Sequence, residues 1–140
     1  MKARFIDIDG VSTRVLWAGS GPAVLLLHGV GMSGDTFIRN IDALAQRYSV
    51  FAPDMLGHGF TASAAFDGAP QPAMVGHLGR LADALGLDRY SALGSSYGAL
   101  VAGLMWFDRP ERVDNLVIVG SGSAFHPAGE QRETLEAALA

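Results

Sequence analysis

The sequence predicts an α/β domain that opens with an antiparallel hairpin and continues as strands alternating with helices, giving a sheet that is parallel after its first turn, with helices on both faces. Three observations carry that expectation. Two strand-like runs at the N-terminus are joined by Asp9-Gly10, the dipeptide of a tight hairpin turn. The run Ala23 to Leu27 is continuously apolar, as in a strand covered on both faces. From there on, strand-like runs alternate with stretches whose apolar residues recur at helical spacing.

Taken in order, Phe5, Ile6 and Ile8 form the first strand, and Val11, Val15, Leu16 and Trp17 the second. Gly19-Ser20-Gly21-Pro22 breaks the pattern before the candidate central strand Ala23 to Leu27. Phe37, Ile41, Leu44 and Ala45 share a helical face, with Ser33 or Asp35 available as its cap. Tyr48 to Ala52 makes the fourth strand. Pro72 suits a first helical turn, and Met74, Val75, Leu78, Leu81, Ala82 and Leu85 line one face up to Gly86. Tyr90 to Leu93 is the fifth strand, Tyr97 to Asp108 a helix stopped by Pro110, and Val113 to Val119 the sixth strand. Leu116 to Val119 is expected to be buried on both faces, and Gly129 to Ala140 is helix-prone. No repeat, low-complexity tract or linker divides the 140 residues, so one domain is expected.

Composition excludes several classes of function. Hydrophobic residues make up 49% and charged residues 17%, enough apolar surface for a core and too little charge for disorder. A net charge of -4 with scattered Lys and Arg leaves no basic footprint for nucleic acid. No apolar run approaches the roughly 20 residues of a bilayer span, and the N-terminus lacks a signal-peptide core, so a cytoplasmic protein without a membrane partner is expected. With no cysteine, covalent chemistry must use oxygen.

The chemistry is concentrated at Gly94-Ser95-Ser96-Tyr97-Gly98, a G-x-S-x-G element between a strand and a helix. A serine hydroxyl is a weak nucleophile at neutral pH. It must be presented at a sharp turn where a base can reach it and backbone N–H groups face the developing oxyanion. Glycines at 94 and 98 permit such a turn, with Ser96 exposed at the carboxyl edge of the sheet. A second strand ends at the same edge in His28-Gly29-Val30-Gly31. The backbone N–H groups of Val30 and Tyr97 are therefore the candidate oxyanion donors. His28 precedes Ser96 and is read as bracing its own loop. A third loop, Pro53-Asp54-Met55-Leu56-Gly57-His58-Gly59-Phe60-Thr61, follows the fourth strand.

These three ordered motifs resemble the N-terminal portion of an α/β-hydrolase fold enzyme, and the resemblance covers nearly the whole chain. The segments Pro53 to Thr61 and Asp108 to Val113 are similar to those of the meta-cleavage-product hydrolase branch, which splits carbon–carbon bonds, and of related esterases. The resemblance implies a serine hydrolase acting through an acyl-enzyme type of mechanism on a small substrate, with no cofactor or metal. It also implies that Asp54 and His58 shape their loop. The branch that opens epoxides uses an aspartate at the elbow, whereas this chain has Ser96.

The family's acid and histidine follow later strands, and the chain ends 44 residues after Ser96, so a fold truncated after the sixth strand is expected, with both groups beyond Ala140. His126 is the only later histidine, with Asp108, Glu111 and Asp114 between it and Ser96. The preferred reading places it at the start of a lid over residues 127–140. Apolar Met32, Phe37, Met55 and Phe60 near the loops suggest an apolar substrate. The alternative function is an inactive remnant of the same fold that binds a small ligand or partner. A dinucleotide or phosphate binder is the weakest reading, on the expectation that no glycine fingerprint follows a strand. An unpaired apolar edge on the sixth strand is expected to favour self-association.

Overall fold

The computed structural model describes residues 1–63 and 70–120. Strands β1 (Lys2–Ile8) and β2 (Val11–Ala18) form the predicted antiparallel hairpin. Asp9 and Gly10 both take positive φ, at 53° and 83°, as the right-handed twist of a two-residue hairpin requires. They are followed by β3 (Ala23–Leu27), α1 (Ile38–Leu44), β4 (Ser49–Pro53), α2 (Pro70–Ala84), β5 (Tyr90–Ser95), α3 (Tyr97–Asp108) and β6 (Val113–Val119).

The six strands lie in the order β1-β2-β4-β3-β5-β6. β2 meets β4 antiparallel, and the remaining pairs β4-β3, β3-β5 and β5-β6 are parallel. Helices cover both faces, which explains the unbroken apolar run of β3. Leu25 and Leu27 enter the core under α2 and α3, while Leu26 enters the smaller core with Phe37 and Ile41.

Two details depart from the expectation. The first helical stretch is split, with a 3-10 turn at Gly34–Phe37 capped by Ser33 Oγ, which accepts from Asp35 N, before α1 begins. α2 runs Pro70–Ala84 with Pro72 inside its first turn, as expected. Leu116 to Val119 is not buried on both faces: Val117 is 45% exposed and Val119 46%. Among the described residues β6 pairs only with β5 and stands at the end of the strand order. His126 and the proposed lid helix lie outside the described residues.

The passage from β5 into α3 dictates two glycines by space rather than by φ. A Cβ on Gly98 would lie 2.1 Å from Leu27 O and 2.5 Å from His28 O, and one on Gly94 would lie 2.1 Å from Gly98 O. Both clashes are with backbone, which cannot swing away as a side chain would. α2 is tied to the hairpin by the fully buried Thr13 and nearly buried His77. The Thr13 hydroxyl donates to Val11 O, so His77 Nε2, 2.9 Å away, carries the proton and donates to it. Arg80, one helical turn on, pairs with Asp9 at 2.6 Å. Burial is the main cause holding the His77 pKa below 6.5; Arg80 adds to it and Asp9 opposes it.

Gly98→Ala is expected to destabilise the protein by about 3 kcal/mol or more in urea unfolding; a loss below about 1 kcal/mol would show that the contact of α3 with the end of β3 is loose. For His77, the folded pKa lies below the unfolded one. Its stabilising contribution is therefore complete above pH 6.5 and is lost as pH falls from there toward the folded value. The unfolding free energy from urea titration should fall on acidification below pH 6.5, by at most about 1.4 kcal/mol per pH unit from this group, and His77→Gln should flatten that slope. An identical slope in the variant would contradict the assignment.

Candidate active site

Ser96 occupies the junction between β5 and α3 with φ 55° and ψ −119°. A non-glycine residue at positive φ outside the normal left-handed well is strained by about 1–3 kcal/mol. The neighbours hold it there. Ser96 N donates to Val119 O at 2.9 Å, and Ser96 O accepts from Ala99 N at 3.0 Å. Its side chain is exposed at the carboxyl edge of β5. Tyr97 is the first residue of α3, so its N–H has no partner within the helix.

The loop after β3 lies against this elbow. A Cβ built on Gly29 would meet Ser96 Cβ and Met32 Sδ, each at 3.4 Å, so the nucleophile candidate and the Met32 thioether flank the same point above the loop. His28 is fully buried beneath it. Met55 N–H donates to His28 Nε2 at 3.0 Å, which leaves the ring proton on Nδ1 to donate to Gly29 O at 2.8 Å. With both nitrogens engaged and its pKa lowered chiefly by burial, His28 is a neutral brace, as the sequence reading had it. His58 Nδ1 bonds Leu56 O at 2.8 Å, and His77 is tied to Thr13. All three described histidines are thus engaged away from Ser96.

Asp54 is likewise a structural group, and a more central one than its sequence context suggested. It is fully buried; Oδ1 accepts from Gly34 N at 2.7 Å and Oδ2 from Phe60 N at 2.8 Å. Arg14 Nη2 donates to Oδ1 at 3.2 Å, and Arg14 Nε sits 2.9 Å from Oδ2 as a charge contact without hydrogen-bond alignment. The same guanidinium pairs with Asp35 and lies 4.6 Å from the centre of the Phe60 ring. Burial works against the Arg14 charge, but the hydrogen bonds to Asp35 and Asp54 outweigh it and raise the pKa; the Arg14 bond holds the Asp35 carboxyl below its usual range. Nothing in the sequence reading singled out Arg14. Its standing as the one charged residue in β2, followed directly by Val15, Leu16 and Trp17, was the available signal.

One expectation fails on the sequence itself. Gly29-Val30-Gly31-Met32-Ser33-Gly34 does satisfy G-x-G-x-x-G directly after β3. The structure still speaks against a dinucleotide: the turn that follows is 3-10, and the Gly34 N–H that would face a phosphate is bonded to Asp54. Of the apolar loop residues, Phe37 and Met55 are core, whereas Met32 and Phe60 are 48% and 66% exposed. Asp114 is bound to Arg89 near the start of β6, where Val113 pairs Tyr90, far from the Ser95–Val119 end of the ladder. Two open pockets of about 420 and 440 Å³ lie between α2 and α3 and between α1 and the β5-β6 ladder; neither has Ser96 in its wall. Among the described residues no three His, Cys, Asp or Glu side chains group to hold a metal ion, and no helix is long and apolar enough to cross a membrane.

Comparison with known proteins agrees with this geometry. A sequence profile described as alpha/beta hydrolase fold matches residues 22–140. A 2-hydroxymuconate semialdehyde hydrolase from Pseudomonas sp. (strain CF600) is 32% identical over 91% of this chain and 46% of its own length. An epoxide hydrolase 2 from Siraitia grosvenorii is 35% identical over 80% of this chain and 36% of its own. A crystal structure of a meta-cleavage product hydrolase superposes with a TM-score of 0.73 at 32% identity, covering 79% of this chain and 42% of that one. The chain spans about a third to a half of the length of the relatives it matches. Matched over residues 22–140, with its central sheet in the order of the fold and a strained serine at the turn into α3, the chain belongs to the alpha/beta hydrolase fold family.

Proposed function

We propose that the protein is a serine hydrolase in which Ser96 is the nucleophile and the Val30 and Tyr97 N–H groups hold the oxyanion. The observation that carries this reading is the strained, exposed Ser96 at the first turn of α3, with the Gly29 loop packed against its Cβ. Ser96 Oγ passes its proton to a histidine and attacks the substrate carbonyl carbon. The carbonyl electron pair moves onto oxygen, and that charge falls between the end of the β3 loop and the N-terminus of α3. Collapse expels the leaving group, which takes the proton back, and water then releases the acyl group from Ser96. The base and acid are assigned to residues outside the described ones, since the described histidines are engaged elsewhere.

The substrate class proposed is a small apolar carbonyl compound, an ester or a carbon–carbon bond next to a ketone. Exposed Met32 beside the elbow and exposed Phe60 on the neighbouring loop support an apolar wall. Ser96, in place of the aspartate expected of an epoxide-opening enzyme, favours acyl transfer despite the epoxide hydrolase relative. A second reading, a non-catalytic binding remnant, is favoured by the engagement of all three described histidines.

A fluorophosphonate probe separates the two. With the protein expressed from its full reading frame, the label should be found on the Ser96 peptide by mass spectrometry, and Ser96→Ala should lower ester turnover by about 10³-fold or more. A folded protein that takes no label at Ser96 would refute the hydrolase reading and favour the binding one.

The exposed β6 edge supports a further part of the reading, self-association of this chain. Among the described residues β6 pairs with β5 alone, and an outer edge flanked by exposed Val117, Ile118 and Val119 is a template for another strand. Size-exclusion chromatography of the 140-residue chain should give a species larger than the monomer; a monodisperse monomer with a cooperative melt would sink this expectation.

A further inference from the structure

We propose that Arg14 is a positioning residue for the oxyanion loop, acting through a two-ended clamp on His28–Gly34. The loop leaves β3 at His28 and enters the 3-10 turn at Gly34, and two consecutive residues, Asp54 and Met55, grip both ends. Met55 N–H holds the His28 ring at 3.0 Å, and Asp54 Oδ1 takes the Gly34 N–H at 2.7 Å. Between those anchors Val30 is 69% exposed and Met32 48%, so the segment itself is held by little packing of its own side chains. Its geometry depends on where Asp54 sits.

Arg14 decides that. β2 runs antiparallel to β4 with Val15 opposite Pro53, and Asp54 N donates to Arg14 O at 2.9 Å. The Arg14 side chain therefore begins beside Asp54 and meets both carboxylate oxygens, through Nε and Nη2, and the same Nη2 also donates to Asp35, one residue past the anchor at Gly34. The guanidinium thus touches the end of the oxyanion loop twice, directly at Asp35 and through Asp54 at Gly34. On the far side it touches the Asp54–Thr61 loop twice as well: Phe60 N–H bonds Asp54 Oδ2, and the Phe60 ring lies over the guanidinium. Arg14 N also donates to Thr61 Oγ1 at 3.0 Å. A planar, forked cation suits two carboxylates at once, which a lysine cannot reproduce.

The catalytic consequence rests on the serine hydrolase reading; the clamp does not. The test therefore pairs a structural readout with a chemical one. Amide hydrogen exchange followed by NMR on the full chain should show Gly34 and Phe60 N–H accelerated by about tenfold or more in Arg14→Met relative to Leu26 in the central strand, with partial recovery in Arg14→Lys. Asp35→Asn, at an exposed side chain, should accelerate Gly34 and leave Phe60 unchanged, and it carries the test if Arg14→Met fails to fold. In parallel, fluorophosphonate labelling of Ser96 in the full-length protein should slow in its bond-forming rate with probe affinity retained. Unchanged Gly34 exchange in a folded Arg14 or Asp35 variant overturns the clamp, as does uniform acceleration of all amides. A wild-type protein that takes no label, with Gly34 and Phe60 responding as stated, supports the clamp and overturns the hydrolase reading instead.

Discussion

The carboxylate of Asp54 lies fully buried between the loops that follow β3 and β4 and the β2 residue Arg14, and the carboxyl edge of the sheet is organised around it. A bare carboxylate in such a place would carry a desolvation cost of several kcal/mol, so it is tolerated only with its charge matched and its oxygens bonded. Arg14 matches the charge; Gly34 and Phe60 N–H bond the oxygens. The same partners are why removal of either charge from such a pair is costly, about 3–5 kcal/mol, since the other is left stranded. What the pair supplies is less net stability than a single arrangement of two loops that would otherwise carry few contacts of their own.

That arrangement meets the second constraint at the elbow. Ser96 is held in a poor backbone conformation by hydrogen bonds to Val119 and from Ala99, and α3 can start where it does because Gly98 lets its backbone press on Leu27 and His28 carbonyls. The β3 loop and the α3 N-terminus are thereby fixed relative to one another through contacts between main-chain atoms, which have little freedom to relax. Buried His28 completes the link, because its ring joins the β3 loop to Met55 and so to Asp54. The strained serine, the loop over it and the ion pair behind it form one connected unit.

A good part of this was legible along the chain. Local chemistry determined the hairpin, because Asp9-Gly10 accepts positive φ at both positions. It determined the end of α3 and the course of β6, because Pro110 stops one and the apolar run Leu116 to Val119 completes the other. The elbow was legible as a G-x-S-x-G pattern between a strand-like and a helix-like run, and Gly94 answers to contacts four and five residues on, whereas the demand for Gly98 comes from Leu27 and His28 on another strand. His28 as a brace was legible from chain order alone.

The tertiary structure decided what depends on partners distant in sequence. Arg14 and Asp54 are 40 residues apart, and only the β2-β4 pairing makes them neighbours. Whether the glycine pattern at Gly29 to Gly34 faces a phosphate or a carboxylate was settled by Asp54 arriving from another strand. Phe37 and Met55 became core while Met32 and Phe60 stayed exposed, although all four are apolar loop residues in the sequence. The exposure of β6 follows the same rule: an apolar run states what a strand could bury, and only its place in the strand order decides what covers it.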